Sequence, residues 1–219
     1  MASEPKNGHA ETRERILHAA ERLFAMQGYD GTSIRDITAE ADCNVAAVNY
    51  HFGGKDKLYI ETFRRLLVDL RDRRIVSMRR DMSAVSDPSL EYFLESFANA
   101  FLEPLVDGSR GRLLLSFFAN EMTGNHLPKR LFLDDFIRPM VQVTTEGLQQ
   151  TGPPLDPMIA RMCMMSIVGQ LLHTLKGLPF FSNPKGPPLV PTELGDHIKH
   201  VVRFSAAGIR ACAAPMEAS

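Results

Sequence analysis

The sequence predicts an all-α fold of about nine helices, and three observations predict it. Apolar residues recur at three- and four-residue spacing in one run after another. No stretch alternates with period two for long enough to require a strand. Residues that start or stop helices punctuate the runs. The expected organisation is a small N-terminal three-helix domain, residues 10–57, followed by a larger helical domain, residues 58–219. A chain of 219 residues is long enough for that division and for a sizeable core. No internal repeat is present.

In order, Thr12 caps a first helix whose Ile16, Leu17, Ala20, Leu23 and Phe24 form one stripe, and Gly28 supplies a left-handed stop. Thr32 or Ser33 caps a second helix, Ile34 to Ala41, that buries Ile34, Ile37 and Ala41. A tight turn at Asp42 to Asn44 leads to a third short helix, Val45 to Phe52, ended by Gly53-Gly54. Lys55 opens a long fourth helix with Tyr59, Phe63, Leu66, Leu67 and Leu70 on one side. After a break at Ser83 to Asp87, the pair Asp87-Pro88 reads as cap and first residue of a fifth helix carrying Leu90, Phe93, Leu94, Phe97 and Phe101.

Gly108 and Gly111 bracket the start of a sixth helix with Leu113, Leu114, Phe117, Phe118 and Met122. Pro128 starts a seventh through Leu131, Phe132, Phe136, Met140 and Val143, with Pro139 positioned to kink it. Asp156-Pro157 opens an eighth helix, to Lys176, that is apolar almost all round and must be covered on several sides. Arg161, Gln170 and His173 interrupt it, which fits a buried helix of a soluble protein better than a membrane span. Gly177 to Pro191, with five prolines and two glycines, reads as an extended loop. Thr192 then caps a last helix with Leu194, Ile198, Val201, Val202, Ser205 and Ile209 on one side, kept narrow by Gly195, Ala206, Ala207 and Gly208.

Hydrophobic residues at 44% and charged residues at 23% describe an ordinary globular chain and exclude long disorder. The opening MASEPKNGH has no basic region followed by an apolar stretch, so no secretory signal is read and a cytoplasmic protein is expected; the segment is treated as a frayed end. Cys43, Cys163 and Cys212 are odd in number and lack C-x-x-C spacing, so free thiols are expected. Residues 1–57 carry seven basic and nine acidic side chains, so a nucleic-acid role there rests on the placement of charge and not on its sum.

The stretch TSIRDITAEADCNVAAVNYHFGGKDKLY has the plan of a helix-turn-helix: a supporting helix, a tight turn and a recognition helix short enough for the major groove. L-F-x-x-x-G-Y at the end of the first helix, Thr32-Ser33 before I-R-D-I, then A-E-A, then Y-H-F-G-G-K-x-x-L resemble the N-terminal domain of the TetR family of repressors over about residues 10 to 60. The rest of the chain matches that family in helix count and length. The resemblance implies that Thr32 and Ser33 offer hydroxyls and a helix N-terminus to phosphate, beside their ordinary role as caps. Arg35 is expected to reach a guanine, a surface salt bridge to Asp36 or Asp30 being the alternative. Asn44 caps the recognition helix, and Val45, Ala46, Ala47 and Asn49 form the groove-facing set, with Val48 and Phe52 as core. Tyr50, His51, Lys55 and Lys57 are candidates for phosphate contacts. Asp42 and Asn49 depart from the family pattern, which has Gly and Tyr there.

Operator symmetry implies a homodimer, expected through the last two helices, with double-stranded operator DNA as partner. Phe93, Phe97, Phe101, Phe117, Phe118, Met140, Met162 and Met165 suit an apolar cavity, with Asn120, Glu121 and His173 to orient a small-molecule inducer. Plain core is the alternative for each. Asp196-His197-x-x-His200 reads as a solvated face, so no metal and no cofactor is expected. No G-x-S-x-G, H-E-x-x-H, phosphate loop or dinucleotide fingerprint supports an enzyme. A ligand-released repressor is the leading expectation. A DNA-binding architectural factor of the same fold, and an all-α enzyme or lipid-binding protein, stand as alternatives.

Overall fold

The computed structural model describes residues 6–106, 108–124, 126–181, 190 and 193–213, and every regular element among them is helical. In chain order these are α1 (Lys6–Gly31), α2 (Ile34–Glu40), α3 (Val45–Phe52), α4 (Lys55–Ser83), α5 (Leu90–Val106) and α6 (Gly108–Gly124). α7 is a helical run in three pieces: Lys129–Phe132, a π-helical turn Leu133–Ile137, and Arg138–Thr151. α8 (Pro157–Phe181) and α9 (Leu194–Ala213) complete the chain.

Several boundaries differ from the sequence expectation. α1 starts ahead of Thr12, whose hydroxyl donates to the Gly8 carbonyl from inside the helix instead of capping it. Its stop is as expected: Gly28 takes φ 71° and breaks the helical geometry. α5 is capped by Ser89, whose hydroxyl accepts from the Tyr92 amide, and not by Asp87. Asp156 does cap α8, accepting from the Met158 amide at 2.8 Å. Pro139 lacks the amide that would bond residue 135, and its ring crowds that carbonyl; the π-helical turn just before it widens the backbone where the proline needs room. α8 runs on to Phe181, past the expected loop start at Gly177, because glycine and proline preferences are a weak prior beside a helix already formed. Residues 182–189, Thr192 and the Met122 side chain lie outside the described set.

The chain forms two compact units. One comprises Met1–Leu70 with Leu105–Phe136, the other Arg71–Pro104 with Ile137–Ser219. By compactness α6 groups with the helix-turn-helix. An aromatic cluster explains this grouping. Phe24 of α1 meets Tyr59 of α4 edge-on at 4.8 Å, and Tyr59 stacks on Phe117 of α6 at 5.4 Å. Asn120 of α6 donates its amide to the Phe24 and Ala25 carbonyls, and Glu121 accepts from the Tyr59 hydroxyl at 2.7 Å and from the Leu127 amide at 2.7 Å. With burial as the larger cause and this bond next, the Tyr59 phenol is held well above its ordinary pKa.

In the second unit α5 buries Leu90, Phe93, Leu94, Phe97 and Phe101, as its spacing predicts. α7 approaches it at Gly147, where a Cβ would stand 2.2 Å from the Phe93 ring. Arg74 of α4 is buried, donates to the Phe101 carbonyl at 2.8 Å and lies 4.0 Å over the Phe101 ring. Burial pushes its guanidinium down to about 9, so it stays charged at neutral pH. α8 and α9 pack together, and Ala160, Met164, Ile167 and Leu171 of α8 and Ile198, Val201, Val202 and Ile209 of α9 are buried. The expectation that α8 is covered on several sides fails in the single chain. Met158, Ile159, Met162 and Met165 are exposed, Met162 and Met165 by 63% and 65%, and Phe204 of α9 by 64%. Pro157–Leu175 is long and apolar enough to cross a membrane by length and composition alone, at a mean hydropathy of 1.3.

Candidate nucleic-acid interface

α1 supplies the platform for α2 and α3 through Ile16, Ala20, Leu23 and Phe24, all buried, against which Ile37, Ala41, Val48 and Phe52 are also sealed from solvent. Ile34 is only half-buried. The end of α2 explains the tight turn. The Cys43 amide bonds the Thr38 carbonyl and the Asp42 amide bonds the Ala39 carbonyl, the two bonds of a Schellman motif. Asp42 occupies its left-handed position at φ 48°, a conformation glycine adopts freely and aspartate tolerates better than most residues. The departure from glycine at this position thus leaves the turn geometry intact.

Asn44 caps α3, its side-chain oxygen accepting from the Ala46 amide at 2.9 Å, and Gly53 closes the helix at φ 76° with its amide on the Asn49 carbonyl. Val45, Ala46, Asn49 and Tyr50 are exposed, Tyr50 by 75%, whereas Val48 and Phe52 are core. At 100° per residue the four exposed positions form one stripe about 140° wide. Ala47 and His51 are half-buried on its flank. The structure therefore gathers most of the groove-facing set on one face.

Thr32 is a correction. It is 1% exposed, and its hydroxyl donates to the Gly28 and Leu23 carbonyls at the broken end of α1, where carbonyls need donors. It stitches α1 to α2 and offers no hydroxyl outward. Ser33 is the cap: its hydroxyl accepts from the Asp36 amide, and Asp36 accepts from the Ser33 amide at 3.0 Å and the Ser33 hydroxyl at 2.6 Å. These bonds from Ser33 hold the Asp36 carboxyl below its usual range. Arg35 is exposed on the first turn of α2. Of the two acids expected to compete for it, Asp36 is engaged by Ser33 and Asp30 lies 3.5 Å from His126.

Several of the charges here are paired locally. Arg13 pairs with Glu61, Arg22 with Glu40, Arg65 with Glu14 at 2.5 Å, and the Tyr29 hydroxyl donates to Asp56. That bond, then burial and the neighbouring charges of Asp56 and Asp30, push Tyr29 up to about 12. Lys55 lies 4.0 Å above the Tyr29 ring at the start of α4, and Lys57 is exposed one turn from Gly53. His9 lies in the segment expected from the sequence to be a frayed end, yet α1 includes it. Its ring lies 5.7 Å from Tyr50 and 6.0 Å from His51. Burial first, then His9 and Arg13, push the His51 imidazole below its ordinary pKa. No sequence signal marks His9, because the contact depends on where α1 begins.

The expected ligand residues fall in both units. Phe93, Phe97, Phe101 and Met140 are core of the second unit, whereas Phe117, Phe118, Asn120 and Glu121 belong to the first. Met162, Met165 and His173 face outward on α8. A different space is open in the second unit: a pocket of about 200 Å³ between α4, α5 and α7, lined among others by Met78, Arg79, Phe93, Val143, Glu146 and Gln150. Periodicity identifies an apolar stripe but not which inter-helix space stays unfilled.

The profile of the family described as "Bacterial regulatory proteins, tetR family" matches residues 16–62. The HTH-type transcriptional regulator LmrA of Bacillus subtilis (strain 168) is 31% identical over 147 residues, 66% of this chain and 74% of that protein. IcaR of Staphylococcus aureus (strain Newman), a negative regulator of the biofilm operon icaADBC, is 29% identical over 113 residues, 52% of this chain and 58% of that protein. Among solved structures, a TetR family transcription regulator from Marinobacter aquaeolei VT8 aligns with TM-score 0.66 at 15% identity, over 94% of this chain and 98% of that one. A transcriptional regulator from Saccharomonospora viridis in complex with choline aligns with TM-score 0.61 at 22% identity, over 89% and 95%. The capped, exposed α3 stripe behind a Schellman turn and the likeness to LmrA along most of its length lead to one conclusion: this chain belongs to the TetR family of DNA-binding transcriptional regulators.

Proposed function

We propose that the protein is a dimeric repressor that binds a palindromic operator and is released from it by a small, largely apolar ligand. The observation that carries the DNA-binding part is the exposed α3 stripe, whose side chains have no role in the core. In this reading Ala46 and Ala47 touch thymine methyls, Asn49 reads a base edge, and Arg35 reaches the groove from α2. Ser33, Asn44, Tyr50, His51, Lys55 and Lys57 contact phosphate, and His9 joins them beside Tyr50. Repression is supported by the negative regulator IcaR among the relatives.

Dimerisation is supported by the uncovered stripe of Met158, Met162 and Met165 on α8 with Phe204 on α9. A second copy would bury these side chains in an intermolecular four-helix bundle. Ligand release is supported by the pocket between α4, α5 and α7, and by a fold neighbour seen with choline. A ligand there would favour a state whose recognition helices no longer match the half-site spacing. The expected setting is the cytoplasm.

The test is selection of genomic fragments by the purified protein, with Tyr50→Ala/Lys55→Ala in parallel. Wild type is expected to enrich one palindromic class, and the double variant to bind it at least about ten-fold more weakly. Removing Lys55 is also expected to flatten the salt dependence by about one unit of slope per subunit. Equal recovery of the same fragments by both proteins removes the proposed DNA face.

A further inference from the structure

Two of the three cysteines, nearly fifty residues apart in the chain, face each other across the α8–α9 pair. Gln170 of α8 donates to the Ser205 hydroxyl of α9 at 3.5 Å, which fixes how the two helices are set against each other. Cys163 lies seven residues before Gln170, and Cys212 lies seven residues after Ser205. Seven residues are close to two full turns, about 10.5 Å along the axis. In an antiparallel pair these equal steps bring Cys163 and Cys212 opposite each other on the same contacting faces. The Cys212 thiol accordingly lies beside that of Cys163, close enough to act on its charge. Both are free thiols, Cys163 half-buried and Cys212 exposed.

We propose that Cys163 and Cys212 form a redox-modification site, in which hydrogen peroxide joins them as an intramolecular disulfide between α8 and α9. Cys212 reacts first, because it is the thiol that solvent reaches. Its sulfur attacks one peroxide oxygen, the O–O bond breaks, and a Cys212 sulfenic acid and one water result. The Cys163 sulfur then attacks the sulfenic sulfur, the S–O bond breaks, and the hydroxyl leaves as a second water with the Cys163 proton. Two thiols are oxidised by two electrons and one peroxide is reduced to two waters. Burial, then the adjacent Cys212, push the Cys163 thiol above its ordinary pKa, which suits it to the resolving step and not to the first attack. In a reducing cytoplasm the bond would be reversed by thiol–disulfide exchange.

The experiment treats the purified full-length protein with hydrogen peroxide and counts thiols after denaturation. The count is expected to fall from three to one and to return to three with dithiothreitol. Tryptic mapping should link Met162–Lys176 to Ala211–Ser219, lighter by two hydrogen atoms. Cys43→Ser should still form the link, and Cys163→Ser should leave a Cys212 sulfenic acid that dimedone traps. A chain that keeps three thiols, that over-oxidises Cys212 while Cys163 stays reduced, or that links Cys212 between two chains overturns the proposal. The thiol count requires neither DNA nor a dimer, so this outcome is independent of the reading of the protein as a repressor.

Discussion

At the scale of single residues, backbone conformation and protonation are the sensitive quantities. Asp42 holds the left-handed position of the Schellman turn between α2 and α3. Asp42→Gly is expected to stay within about 0.5 kcal/mol of the parent, because relief of backbone strain is offset by the larger entropy of an unfolded glycine. Asp42→Val, whose branched side chain opposes that conformation, should cost about 1–2 kcal/mol in urea unfolding and weaken operator binding in step. His51 offers a pH test. Its folded pKa is depressed, so it is neutral near pH 7 in the free protein. A phosphate beside it would raise that pKa, so complex formation would take up a proton. Affinity should therefore rise as pH falls through the range near and below the ordinary histidine value, by no more than about ten-fold per pH unit per histidine. Binding curves whose pH dependence is identical in His51→Gln would remove His51 from the phosphate contacts.

At the scale of elements, packing overrides propensity in both directions. Gly147 lies inside α7, where alanine would ordinarily gain about 1 kcal/mol. Here its Cβ would press on the buried Phe93 ring from 2.2 Å, and overpacking of that kind costs about 1–3 kcal/mol. Gly147→Ala is expected to lower the urea midpoint despite the better helix former; a raised midpoint would mean that α5 and α7 have slack at this contact. The α5 stripe was legible in sequence because each member is buried on one face. Its cap was not, since Asp87-Pro88 and Ser89 are both competent starters and only the amide of Tyr92 decides between them. The same holds for α1, which continues N-terminal to Thr12 and so carries His9 to Tyr50.

At the scale of the whole molecule, the proposed dimer rests on the exposed outer face of α8 and α9. Met162→Glu or Phe204→Glu places a charge in the stripe proposed to bind a second copy. Each is expected to shift the protein from dimer to monomer in sedimentation velocity and to weaken binding to the full palindrome about 100-fold or more, because the second half-site then binds as a separate event. A variant that stays dimeric with unchanged DNA affinity would move the interface elsewhere. The grouping of α6 with α1 has a second consequence. Through Asn120 and Glu121, α6 is hydrogen-bonded to the end of α1 and to Tyr59 of α4, so any displacement of α6 acts directly on the platform that carries α3.

The sequence by itself determined the helical class, the buried stripes of α1, α4 and α5, the capped α3 and the family resemblance, because all of these are local: periodicity, caps and a motif read within a few turns. Only the tertiary structure decided which of the singled-out residues are outward. It withdrew Thr32 into the α1–α2 junction, turned Met162 and Met165 to the surface, and divided the expected ligand residues between two units. It also brought Cys163 to Cys212, which no local pattern connects. The physical reason is common to these cases. A stripe tells a side chain that it will be buried or not along its own helix, but the neighbour that buries it is chosen by the packing of helices far apart in the chain.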